Sequence, residues 1–122
     1  MSAVAVLAGA IDVAFGVFHL MFWRLFGWPG RLEASGRVNA AVTQTLNAVL
    51  IYVFFAYGGA VLWLSIDGDG APPLLLLAGS GFWLLRFALQ PLLFPMKHWA
   101  SLALTTIFLL ACATHLVAAL VG

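Results

Sequence analysis

Charge is what this sequence has least of. Lysine, arginine, aspartate and glutamate together make up 7% of its 122 residues, against about a quarter of a soluble domain. With 65% hydrophobic residues and a mean hydropathy of +1.12, it has too few polar groups to cover a water-facing surface. That excludes a soluble fold and leaves an integral membrane protein. Cysteine is nearly absent too. Cys112 stands alone, which excludes an intrachain disulfide and any cysteine-rich metal or iron–sulfur site within one chain. The histidines His19, His98 and His115 form no His-x-x-x-His or Glu-x-x-His pair. They also fall at different depths, against a bis-histidine haem, so the sequence calls for no metal and no cofactor. Asp67-Gly68-Asp69-Gly70 lacks the later ligands and the bidentate glutamate of a calcium loop and reads as a solvated turn. Nucleophile-elbow, phosphate-loop and dinucleotide motifs are missing, so no catalytic residue is assigned. No basic stripe suits nucleic acid.

What the chain does have is long apolar runs. They cover residues 3–26, 38–64, 74–95 and 99–121, each long enough for a hydrocarbon core about 30 Å thick. The first lacks a basic leading region and reads as a retained helix rather than a cleaved signal peptide. The connections are short, so successive helices are expected to be antiparallel neighbours. The fold class that follows is all-α: a polytopic protein with four transmembrane helices in an up-down-up-down bundle, residues 1–122 forming one domain. Pro91 predicts a break in the third helix, because it removes one backbone donor and crowds the preceding turn. Ala56, Gly58, Gly59 and Ala60 predict a place where helix backbones come close.

The few charges are unevenly placed. Arg24, Arg31, Arg37 and Lys97 border the first and third loops, whereas the second loop holds Asp67 and Asp69. The excess of basic residues in cytoplasmic loops puts loops one and three in the cytoplasm and both termini outside, in a multi-pass cell-membrane protein. Trp23, Trp28 and Trp99 then belong to one interface and Trp63 to the other, and Trp83 is deep enough to be a packing residue.

Polar residues inside the runs mark the candidate site. Arg86 and Gln90 are four apart and share a helix face. An arginine at the centre of a membrane helix costs about 2.5–3.5 kcal/mol on insertion scales, and its five donors need acceptors. At 1.5 Å per residue from the same membrane face, Gln90 lies roughly 7 Å deep, His19 and Gln44 roughly 9 Å, and Asn47 and Arg86 roughly 13 Å. These residues are expected to meet in one slab, walled by Trp83, Phe15 and Phe22. The fourth run carries a seam of His98, Ser101, Thr105, Phe108, Cys112 and His115. Asp12, the one acid inside a run, is with His115 a candidate for proton-linked chemistry.

Phe18-His19-Leu20, the border Trp23…Phe26-Gly27-Trp28, Gln44…Asn47 opening the second run, and the polar third run together resemble the layout of small four-helix bacterial membrane proteins, including DoxX-like proteins. The resemblance covers the whole chain and implies the four-helix fold and a bacterial inner-membrane setting; it transfers no active residues. Three functions compete on this sequence. The first is binding, with transport as a variant, of a small anionic or quinone- or lipid-like amphiphile by Arg86, Gln90, Gln44, Asn47, His19 and Trp83. The second is an accessory subunit that meets a membrane-protein partner or its own copy through its apolar surface. The third is redox or proton transfer. Binding rather than catalysis is the expectation, with the lipid bilayer as the constant partner.

Overall fold

A computed structural model describes residues 2–121. They form helices α1 (Ala3–Leu20), α2 (Phe22–Leu25), α3 (Arg37–Ile66), α4 (Pro73–Leu93) and α5 (Trp99–Val121), with a 3-10 segment at Gly30–Ser35. The four long helices are each long and apolar enough to cross a membrane. The all-α, four-span class read from the sequence is the observed one, and the chain is a small multi-span membrane protein. It divides into two compact units, Gly9–Ala60 and residues 2–8 with 61–121.

Each long helix has one narrow buried stripe and leaves most of its remaining apolar surface exposed. On α1 the stripe is Ala5, Ala8, Gly9, Asp12 and Gly16; on α3 it is Ala40, Asn47, Phe54, Gly58, Val61 and Ser65. On α4 it is Leu76, Gly79, Ser80, Trp83 and Gln90, and on α5 Phe108, Ala111, His115 and Ala118. Recurrences three, four and seven residues apart keep each stripe on one face of its helix. The stripes are rich in small and polar residues, as expected where lipid is as apolar as leucine and helices associate by close packing and hydrogen bonding.

Within Gly9–Ala60, α1 and α3 pack antiparallel. Gly58 lies against Asp12, Phe55 against Gly16, and Asn47 against His19, so one register falls as the other rises. A Cβ added to Gly58 would sit 2.9 Å from Asp12 Cβ and 3.0 Å from the Gly9 carbonyl oxygen. The close approach predicted from the small residues is therefore real, but it belongs to Gly58 alone. Gly59 faces open space, and Ala56 and Ala60 are exposed.

Within the other unit, α4 and α5 pack antiparallel, with Ser80 opposite Cys112, Trp83 opposite Phe108 and Gln90 opposite Ser101. Pro72 and Pro73 start α4, where the missing donor is one that the first turn leaves unpaired in any case.

Two boundaries differ from the sequence reading. The first apolar run is not one helix to Phe26. It stops at Leu20, Met21 N–H turns back to the Phe18 carbonyl, and α2 restarts at Phe22. Nor does α4 break at Gln90–Pro91. It continues to Leu93, and Phe94 N–H still bonds the Gln90 carbonyl at 3.0 Å. Pro91 lies in the last turn, so its missing donor removes one bond, to Phe87, just before the helix would end.

Candidate functional site

The polar cluster of the α4–α5 pair is built outward from Gln90, which is fully buried. Its side-chain nitrogen donates to the Ser101 carbonyl at 3.2 Å. A carbonyl only accepts, so the amide orientation is fixed and Oε1 is left facing the other way. There it accepts from Arg86 Nη1 at 2.9 Å. Thr105 Oγ1 donates to the same Ser101 carbonyl at 2.6 Å. That backbone oxygen thus gathers the polar side chains of both helices.

Arg86 is half-buried, and its guanidinium carbon lies 4.4 Å from the Phe108 ring centroid and 5.0 Å from that of Phe94. Both distances lie within the range in which a ring face attracts a cation. The same Phe108 ring stacks with Trp83 at 5.8 Å and 20° between planes. A helical side chain leaves its backbone toward the N-terminal end, yet Arg86 meets Gln90 and Phe94 on its C-terminal side. The Phe108 ring, which the guanidinium carbon approaches more closely, stacks with Trp83 on the N-terminal side of Arg86, so the cation is contacted from both directions along α4. Among the described residues Gln90 is its one hydrogen-bond partner.

The α1–α3 pair holds the other sequence-predicted residues. Asn47 bonds His19 twice, with Nδ2 donating to the His19 carbonyl at 3.0 Å and Oδ1 lying 2.7 Å from Nδ1. Since the carbonyl fixes Nδ2 as the donor, Oδ1 must accept, and the ring proton sits on Nδ1. Gln44 is also paired: Oε1 accepts from Trp23 Nε1 at 3.1 Å, and Nε2 donates to the Ala40 carbonyl at 3.2 Å. Phe22 and Phe54 flank His19, with ring centroids 4.1 and 5.2 Å away. The sequence marked Gln44 and His19 but did not pair Trp23 with Gln44, because partners 21 residues apart have no local spacing signal.

Asp12 and His115 are both buried. Asp12 lies beside Gly58. On α5, His115 has Nδ1 2.7 Å from the Ala111 carbonyl, which puts its ring proton on Nδ1 as well. On the α5 seam, Ser101, Thr105, Phe108, Cys112 and His115 are at least partly buried, but His98 is exposed. It acts instead as the N-cap of α5, with Nδ1 accepting from Ala100 N–H at 3.1 Å. Ser80 Oγ bonds the Cys112 carbonyl at 3.1 Å and lies 3.4 Å from its sulfur. A cavity of about 520 Å³ lies at the opposite end of this unit, lined by Ser2, Ser65, Asp69, Pro72, Leu76 and Ala118 among others; it holds none of the predicted ligand residues.

Compared with protein-family models, curated proteins and solved structures, the chain matches none of them. What its four apolar helices define is the class alone, a small four-span membrane protein.

Proposed function

We propose that this protein binds a small anionic or quinone- or lipid-like amphiphile at a polar site in the membrane, with Arg86 as its principal contact. The observation that carries this reading is the state of Arg86. A half-buried guanidinium, held between two phenyl rings and one amide, has a single hydrogen-bond partner among the described residues. A buried or half-buried charge needs compensation, and a polar ligand head supplies it. Gln90 positions Arg86 through the Ser101 carbonyl, and Trp83 supports the Phe108 ring. The side chains of Asn47 and His19 join α3 to α1, and that of Gln44 joins α3 to α2 through Trp23, so this reading gives them the task of holding those helices together. The DoxX-like layout contributes a four-span architecture and no site residue.

The test is native mass spectrometry of the protein extracted with its lipids. The wild type is expected to retain a small amphiphile. Arg86→Met, checked by circular dichroism to be helical, is expected to lose it. Equal retention by a folded Arg86→Met protein would sink the proposal, and a stoichiometric protein partner in place of a small molecule would favour the accessory-subunit reading.

The same reading puts the end of α4 near Arg86 on the cytoplasmic side, with loops one and three inside and both termini outside. Four basic residues border those loops, and two acids lie in the second. Cysteines introduced at Glu33 and Asp69 of a Cys112→Ser protein should respond oppositely to a membrane-impermeant maleimide on intact cells. Asp69 is expected to label and Glu33 to stay protected; the reverse pattern would invert the topology.

A further inference from the structure

We infer that Arg86 recognises a two-oxygen anion, a phosphodiester, delivered as the headgroup of an anionic lipid from the surrounding leaflet. This rests on the ligand-binding reading above and narrows it.

The argument begins with donor geometry. A guanidinium has five N–H groups in one plane. Gln90 takes one of them, on Nη1. Phe94 and Phe108 meet the guanidinium with aromatic rings, their centroids 5.0 and 4.4 Å from its carbon, and a phenyl ring offers no oxygen or nitrogen lone pair to an N–H. The edge formed by Nε–H and the neighbouring Nη2–H therefore has no hydrogen-bond partner among the described residues. Those two parallel donors match the spacing of two oxygens on one phosphate or carboxylate. A single carbonyl oxygen, as in a quinone, would use only half of that edge.

Immobilisation strengthens the case. Gln90 is locked by the Ser101 carbonyl, and two rings confine the guanidinium, so the fork is preorganised and little side-chain entropy remains to be lost on binding. An arginine that merely reached for water would need neither the amide lock nor the rings.

The source follows from the surroundings. Leu84, Leu85, Leu92 and Leu93 on α4 are between 54% and 76% exposed, so the surface around the site suits acyl chains. A free phosphate ion would have to shed its hydration to reach a half-buried position beside them. A lipid phosphate arrives already at the interface, and the Phe94 ring, just past the C-terminal end of α4, has its centroid 5.0 Å from the guanidinium carbon. Lys97, on the connection beside the same helix end, adds a second positive charge at headgroup level.

The experiment uses the whole protein in zwitterionic-lipid nanodiscs, with phosphatidylglycerol and inorganic phosphate as the two probes. The Arg86 Nε–H resonance, assigned by its absence in Arg86→Lys, is followed by NMR. Phosphatidylglycerol is expected to move it downfield in a saturable manner, whereas millimolar inorganic phosphate is not. Arg86→Lys is expected to bind phosphatidylglycerol at least tenfold more weakly, because a point charge replaces the fork. An unmoved Nε–H signal, or wild-type affinity in Arg86→Lys, would overturn the two-oxygen recognition. If Arg86→Met still loses its native amphiphile in that case, the broader binding reading survives. An equal shift with inorganic phosphate would overturn the lipid as source.

Discussion

Gly58→Ala is expected to destabilise the protein by about 1–3 kcal/mol, the usual cost of overpacking a filled site. The new methyl would meet Asp12 Cβ at 2.9 Å and the Gly9 carbonyl oxygen at 3.0 Å. Neither is the free end of a flexible side chain, so α1 and α3 must part for the methyl to fit. Asp12 is buried, so the displacement also disturbs a polar group that cannot exchange its surroundings for water. Gly59→Ala is the matched control. Nothing lies within 4 Å of its added methyl, and alanine is favoured over glycine in a helix by about 0.5–1 kcal/mol. Thermal melting in one detergent should therefore move the two variants in opposite directions. Equal melting of Gly58→Ala and wild type would refute the close approach.

The second large effect is expected at Asn47. Its amide answers two groups of His19 at once, the ring Nδ1–H and the backbone carbonyl. That carbonyl belongs to the last turn of α1, where intrahelical donors run out. Asn47 thus caps one helix from another. Asn47→Leu removes both of these bonds to His19, at about 1–3 kcal/mol for each group that stays buried and finds no other partner. Asn47→Asp is the sharper probe, since it keeps an acceptor for Nδ1–H but puts a second oxygen where a donor faced the carbonyl at 3.0 Å. Both variants should melt below wild type. If Asn47→Asp melts as wild type does, the amide is oriented the other way and the tautomer assigned to His19 falls with it.

The four spans were legible because a membrane helix announces itself by length and uniform apolarity, and α5 begins and ends where its apolar run does. The end of α1 was not. Met21 is neither glycine nor proline, and the interruption there shows only as Met21 N–H reaching Phe18 instead of Val17. The pairing of Arg86 with Gln90 followed from spacing, since residues four apart on a helix are neighbours. Its anchor, the Ser101 carbonyl, did not, because a backbone oxygen is the same at every position and leaves no trace in composition. Gly58 and Gly59 looked equivalent for a related reason. Adjacent helical residues point 100° apart, and only the phase of the buried stripe tells which one meets a neighbour. Pro91 misled because its effect depends on how much helix remains to be broken, and only two residues of α4 follow it.

The spans are of unequal length, and this makes membrane thickness a mechanical variable for one helix in particular. α1, α4 and α5 contain 18, 21 and 23 residues, or about 27–35 Å of helix, close to an ordinary hydrocarbon core. α3 contains 30 residues, about 45 Å. Standing upright it would overshoot that core by about 15 Å; lying wholly within it, it must lean steeply. In a thin bilayer Arg37 and Asn39 are pushed out among headgroups and water; in a thick one they are drawn inward and the lean relaxes. The length of α3 leaves it the most room to answer bilayer thickness by tilting, and α1, held to it at Gly58 and Asn47, must follow that tilt.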